Sequence, residues 1–566
     1  MPDFDAIVVG SGISGGWVAK ELCERGLKVL LLERGKEIDP SKDYADMADP
    51  WEKKHFDEIS QQQLKQDFFV QGKNYAMKES NRHFWMTDSA QPYENVDSGP
   101  FRWRRGNQVG GKSLMWARAS YRLAPYDFEV NKQDGEGVDW PVRYNDIAPW
   151  YDKVEKFAGI AGNRDGLAQL PDGKHFLPAF EHTCVELDLK DKLSKTHPER
   201  KMIMGRVAHL TTPTSEHLLL GRGKCQARNH CHLGCSYGAY FSTNSATLPA
   251  AQKTGNLTLV PDAIVTKLIQ DKDTGRITQV QVLDANTKSA TSYSSKIVFL
   301  NASTIATTLI LLGSAHENAP NGLANSSGQL GRNLMDHLGG SRVMARVRGH
   351  EDKYYYGRRP IGGYIPRYRN FPNRVEDYKR GWGFQVYSGR GGAGGWHKGV
   401  GKAFKDKNRQ PGDWTIMLDA FGECLPRENN TITAHKNKTD KWGQPIAVID
   451  LTIGENDKKL IHAAHADAID MLTSAGFDNI SENQKPEDNM DGISGRIHEM
   501  GTARMGRDPR SSVLNGWNQS HDVPNLFITD GSFMASSAVQ NPSLTYMAFS
   551  ARAANHAADL LANGVF

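Results

Sequence analysis

The residues of this chain that could do chemistry fall into a glycine set and a cysteine set. Gly10, Gly12 and Gly15 stand in the spacing G-x-G-x-x-G, with Ser14 among them. They follow the apolar run 6–9 directly and precede a stripe of Trp17, Val18, Ala19, Leu22 and Cys23. Strand, tight glycine turn and helix in that order bring backbone close to a pyrophosphate and aim unpaired N–H groups at it. A second apolar run, 29–32, ends at Glu33 and Arg34. A carboxylate at that point can hold a ribose hydroxyl pair, which favours FAD or NAD over NADP.

Of six cysteines, Cys23, Cys184 and Cys424 are scattered, unlike a disulfide framework. Cys225, Cys231 and Cys235 lie close together in GKCQARNHCHLGCSYGA. Three thiolates on a short loop can grip one soft metal centre. Zinc, with His230 or His232 as fourth ligand, is one such centre. Three free buried thiols are the reading without a metal.

The totals set limits. The chain has 566 residues, 39% hydrophobic and 24% charged, with a net charge of +4. That charge gives no electrostatic case for nucleic acid or an anionic membrane. No apolar run reaches the roughly 18 residues of a spanning helix. The first strand begins within five residues of Met1, which leaves no room for a cleavable signal. The expectation is a chain that is not exported alone in unfolded form.

The elements that must position these residues predict an α/β protein. Residues 36–95 are polar and aperiodic, as in a lid or functional excursion. The stretch 102–121 is dense in glycine and arginine, with Gly106, Gly110, Gly111, Ser113 and Trp116. A loop runs into a helix over 140–158. A strand is expected over 256–268, a hairpin through 279–283, and a buried strand and apolar helix over 296–301 and 304–312. Within 341–490, alternating glycine, tyrosine and arginine (354–369, 381–399) suggest antiparallel strands. Further strands are expected at 415–425 and 445–452 and a helix at 458–475. Buried-strand and long-helix patterns return at 497–506, 525–531 and 536–561.

Taken together, these motifs resemble the glucose–methanol–choline (GMC) oxidoreductases. The resemblance rests on 10–33, the Gly110-Gly111-Lys-Ser113-Leu-Met-Trp116 motif, 298–312 and 331–337. It also rests on His498-Glu-Met-Gly-Thr-Ala-Arg-Met-Gly506, on 525–531, and on Gln540-Asn541-Pro542. It implies a discontinuous Rossmann-like FAD-binding domain (1–45, 97–165, 200–340 and 490–566, with a cysteine-rich loop at 222–240). An interleaved α+β lid and substrate domain on an antiparallel sheet would take 46–96, 166–199 and 341–489. By the same resemblance His498 is the base that takes the hydroxyl proton, and Asn541 orients the substrate oxygen. Gly10, Gly12, Ser14, Gly15, Glu33, Arg34, Gly110, Gly111, Ser113, Trp116, Val265, Asp530, Gly531, Asn541 and Pro542 would hold FAD, with Val265 at the adenine. Asp336 and His337 are read as packing residues. Met115 stands where some relatives carry a histidine bonded to the flavin, so FAD is expected to be non-covalent. Asn301-Ala302-Ser303 stands where the family usually has Ala-Ala-Gly.

In the bacterial envelope sugar dehydrogenases of this family a three-cysteine set at this spacing holds a 3Fe–4S cluster, which the resemblance places on Cys225, Cys231 and Cys235. The overall look is most similar to glucoside 3-dehydrogenases, which oxidise C3 of glucosides and disaccharides to 3-keto sugars. Gluconate, fructose or glucose dehydrogenases, and an oxygen-using sugar or alcohol oxidase, are the alternatives. The relatives imply a small subunit of the gluconate dehydrogenase subunit 3 type with a twin-arginine signal, and cytochrome c as acceptor. Export of the folded pair would place the chain in the periplasm; the alternative is the cytoplasm.

Overall fold

The computed structural model describes residues 3–96, 101–355, 360–390, 399–489 and 495–566. Its organising layer is a five-stranded parallel sheet in the order Leu526–Phe527, Ser295–Leu300, Phe4–Val9, Val29–Leu32, Leu257–Val260. Read in chain order this is 3-2-1-4-5, a doubly wound arrangement. Its topological switch point lies between Phe4–Val9 and Ser295–Leu300, at the C-terminal ends of both strands. Ala6, Ile7 and Val8 and all of 29–32 are buried, as strands covered on both faces must be.

Two helices cover one face together. Ile13–Glu24 packs against Ser543–Ala562, whose small buried residues Ala551, Ala554 and Ala558 permit close approach. Glu21 is buried between them and is compensated, burial being offset by Lys20, Lys153 and Asn555.

The second large sheet has six strands, all antiparallel, in the order Asp478–Gln484, Arg342–Val347, Trp414–Gly422, Trp382–Arg390, Gly363–Ile365, Ile203–Met204. Glu455–Ser474 lays the apolar face Leu460, Ile461, Ala464, Ala468, Met471 and Leu472 on it. Ile203–Met204 is its edge strand, although it falls in the 200–340 stretch. Two three-stranded sheets complete the molecule. One is the meander Ala263–Gln270, Ile277–Asp284, Ala290–Tyr293. The other joins Thr431–Thr439 and Pro445–Asp450 to Tyr93–Asn95. The mixed architecture expected from the sequence, a parallel nucleotide-type sheet with an interleaved antiparallel one, is present.

Several local expectations are corrected. The single strand over 256–268 is two, because Pro261 lacks an N–H and Asp262 adopts φ 54°. The C-terminal helix begins at Ser543, after Pro542, and 536–541 is a buried non-helical segment. Residues 497–506 form no strand; they are held by isolated bridges such as Met335 to Met500 and Met505 to Leu514. Of the glycine-rich pattern at 354–369 and 381–399, residues 356–359 and 391–398 lie outside the described residues, as does 490–494 at the expected domain boundary. The excursion 36–95 has its own small core of Ile38, Ile59, Phe68, Met77, Phe84 and Trp85, closed by Leu114.

Candidate active site and cysteine loop

At the switch point each glycine does a different job. Gly10 turns the chain with φ 91°, and a Cβ there would overlap the Asn301 carbonyl; one on Gly15 would overlap the Gly10 carbonyl. A Cβ on Gly12 would meet nothing within 4 Å. The helix that starts there has no side-chain cap, so its first N–H groups face that open space. Ser14 is buried in the first turn.

Buried Glu33 is raised by burial and holds the cradle together. It accepts from Ser11 N (2.9 Å), Ser11 Oγ (2.6 Å) and Gly35 N (2.8 Å). Ser11 Oγ in turn accepts from Gly110 N at 2.8 Å. Gly110 turns the chain with φ 92° against the Asn244 side chain, and Gly111 lies against Gly12. Val265 is buried in the strand whose first residue, Ala263, donates its N–H to the Glu33 carbonyl. Arg34 turns toward Asp440 (3.1 Å) and lies over the Trp442 ring. Asp530 accepts from Ser532 N at 3.0 Å and from Thr307 Oγ1 at 2.5 Å, and burial raises it. A Cβ on Gly531 would overlap the Glu499 carbonyl. Asn301 binds Thr529 through its Oδ1, while its buried Nδ2 and Glu499 Oε1 have no hydrogen-bond partner. An open glycine turn, an uncapped helix start and unsatisfied polar atoms around it fit a dinucleotide.

The proton-handling groups sit beside this cradle. His498 is half-buried. Its Nε2 lies 3.4 Å from Asn541 Nδ2, and its Nδ1 lies 2.8 Å from Nδ1 of His337. Asp336 pins both histidine segments, accepting from His337 N (2.7 Å), His498 N (3.0 Å) and Ile497 N (3.3 Å). Ligand atoms of these three side chains lie within 4.8 Å of one another. Burial lowers His498 well below the ordinary histidine range, with His337, Lys112 and Arg496 adding to it. Burial likewise takes His337 down to about 4, and burial together with Glu499 pushes Asp336 up to about 7. A base kept neutral across physiological pH is what proton abstraction needs. Asn541 precedes Pro542 at the start of the C-terminal helix and accepts from Gln385 Nε2 at 2.8 Å; Gln385 is itself bonded by Tyr387.

Sequence reasoning passed over His337, Gln385 and Lys112. The Asp-His pair at 336–337 was visible but carried no periodic or spacing signal of its own. Gln385 sits in the strand Trp382–Arg390, whose first five residues are all buried, so no alternation marks it. Lys112 pairs with Glu499 at 2.8 Å, a partner from far along the chain.

The three cysteines are mutual neighbours. Burial raises Cys225 and Cys235, and Cys231 adds to both. Against this, the nearby backbone at Ala227 favours the Cys225 thiolate, and that at Ala239 and Tyr237 the Cys235 thiolate. Within the loop Ala227, Asn229, Gly234 and Gly238 all take positive φ. Asp46, from the excursion, braces it by accepting from Ser236 N and Oγ and from Arg228. His230 Nδ1 bonds the Asp46 carbonyl at 2.9 Å. The cysteine loop also runs straight into the cradle. Trp116 Nε1 donates to Phe241 O (2.9 Å), Tyr240 OH to Leu114 O (2.8 Å), and Thr243 N to Ser113 Oγ (3.1 Å).

Two models of the GMC oxidoreductase family match this chain, over residues 4–339 and 426–550. It is 27% identical over 570 residues to the fructose dehydrogenase large subunit of Gluconobacter japonicus, covering 97% of each chain. It is 29% identical over 574 residues to 2-methyl-1,2-propanediol dehydrogenase of Mycolicibacterium austroafricanum, covering 98% of this chain and 94% of that one. In three dimensions it resembles pyridoxine 4-oxidase from Mesorbium loti, with a TM-score of 0.62 at 16% identity over 98% of both chains, a likeness of fold.

Proposed function

The chain belongs to the GMC oxidoreductases, FAD-dependent enzymes acting on CH–OH groups, and from that premise we propose that it is a sugar dehydrogenase. Its substrate is a glucoside or disaccharide oxidised at the C3 hydroxyl to a 3-keto sugar. Cys225, Cys231 and Cys235 would hold a 3Fe–4S cluster, which would supply a one-electron outlet to an external acceptor such as cytochrome c. The dehydrogenase reading is supported by the relatives that are dehydrogenases, one of them a fructose dehydrogenase. The C3 position is supported by the likeness of 105–113 and the cysteine segment to glucoside 3-dehydrogenases.

The observation that carries the proposal is the direct stitching of the three-thiol loop to the 113–116 segment of the cradle. Residues of the Gly10–Gly15 turn, Glu33, Gly110 to Ser113, Asp530–Gly531 and Asn541–Pro542 would hold FAD, with Met115 offering no histidine for a covalent link. Bound FAD supplies the acceptor for the hydride equivalent of the carbinol C–H. The protein does the rest. Asn541 orients the hydroxyl, and His498 Nε2 takes its proton as the C=O forms. The cysteine loop offers three thiols within one short stretch, which an iron–sulfur cluster needs, and such a cluster would supply a one-electron outlet.

Among the described residues no helix is long and apolar enough to cross a membrane. We assign the protein to the periplasm, exported folded with a small subunit that carries the twin-arginine signal. The test is iron and acid-labile sulfide analysis of anaerobically purified protein, with dye reduction by methyl glucosides, disaccharides, gluconate and fructose and identification of the product. About three irons per flavin and a 3-keto product are expected. Iron-free protein that makes hydrogen peroxide would be an oxidase instead.

A further inference from the structure

A hydrogen-bond chain of one polarity runs through the site. Tyr387 donates to Gln385 Oε1, Gln385 Nε2 donates to Asn541 Oδ1 at 2.8 Å, and Asn541 Nδ2 faces His498 Nε2 at 3.4 Å. An amide N–H meets a ring nitrogen favourably where that nitrogen carries a lone pair, so His498 Nε2 is bare. A neutral imidazole with bare Nε2 carries its proton on Nδ1, and that atom lies 2.8 Å from Nδ1 of His337. His337 then accepts there and carries its own proton on Nε2. The reverse polarity fails because it sets a His498 N–H against the Asn541 amide N–H.

We propose that His337 is a positioning residue that accepts the Nδ1 proton of His498 and so fixes Nε2 as the bare nitrogen facing the substrate. This rests on the reading of His498 as the base. As the substrate hydroxyl proton arrives on Nε2, the Nδ1 proton stays where it is. The bond to His337 then becomes charge-assisted, which keeps the ring oriented through the step. The two rings meet edge to face, at 86° with centroids 4.9 Å apart. Asp336 holds the backbone N–H groups of both residues, so this geometry is built in before any substrate arrives.

The experiment compares wild type with His337→Leu, which removes the acceptor, and His337→Asn, whose amide oxygen can take the place of Nδ1. Flavin absorbance reports whether each folds and loads. In ¹⁵N spectra of histidine-labelled protein at neutral pH, with His498 assigned by difference from His498→Gln, wild type and the Asn variant should show Nδ1 protonated and Nε2 bare. The Leu variant should show a mixture. With methyl β-D-glucoside and a dye acceptor, kcat should fall about 100-fold in the Leu variant with KM unchanged, and the Asn variant should recover to within about tenfold. His498 protonated on Nε2 in wild type, or unchanged by His337→Leu, would overturn the proposal, as would equal losses in both variants. If wild type does not oxidise the glucoside, that substrate assignment fails while the spectra still decide the tautomer.

Discussion

Trp116 gives its indole N–H to the carbonyl of Phe241 at 2.9 Å. One partner belongs to the glycine-rich segment beside the nucleotide turn, and the other follows the last cysteine of the 225–235 loop by six residues. Two pieces of chain with different chemical tasks are thereby one structural unit, and Arg118, which lies over Tyr240 and donates to Trp116 O, tightens it. Damage to one task can still be separated from damage to the other, because their polar groups are distinct.

His498→Ala should lower turnover by about 10³-fold while flavin stays bound. The hydrogen bonds of the imidazole go to Asn541 and His337. Anaerobic flavin bleaching by sugar, followed by absorbance, measures the loss. Activity near wild type would remove the base assignment.

Cys231→Ser should leave bleaching of the flavin by sugar intact and abolish transfer to a cytochrome-type acceptor, with iron and labile sulfide falling together. Parallel assays with a small dye and with cytochrome c separate the two. Unaltered transfer to cytochrome would count against a relay.

The nucleotide turn makes a contrast between two glycines. Gly12 has open space where a Cβ would stand, so Gly12→Val should give folded protein with unchanged circular dichroism and a loss of FAD. At Gly15 the same atom meets the Gly10 carbonyl. Gly15→Ala should therefore cost about 1–3 kcal/mol of stability, read as a lowered Tm.

The pH dependence follows from the charges around the base. His498 must be neutral to accept a proton, and burial, then His337, Lys112 and Arg496, hold it well below the ordinary 6.5. Activity should therefore persist through neutral pH and fall as pH drops through that depressed value. Lys112→Met removes one of the positive neighbours and leaves Glu499 without its 2.8 Å partner. Both changes favour the imidazolium, so the acid limb of kcat/KM should move to higher pH. A limb that stayed in place would mean Lys112 does not act on His498.

The parallel layer was legible because its strands are short, apolar and followed by glycine or helix signals, as at 6–15 and 296–312. The divided strand at 257–270 was misread because one proline outweighed a continuous apolar pattern. The 497–506 segment looked like a strand because it is buried, yet its hydrogen bonds go to single residues such as Met335 and Leu514. Ring-to-ring and amide-to-ring contacts were not legible at all. Gln385, Asn541, His498 and His337 come from four separate stretches, and no spacing within one stretch encodes their meeting.

On one side of the first strand in the parallel layer lies the strand at 295–300, whose other side is closed by Leu526–Phe527. The glycine turn made first on the ribosome thus waits unfinished until residues 526–527 have been synthesised, and Asn541 follows later still. A dinucleotide seated at that turn would be enclosed only once the chain has been made past Asn541.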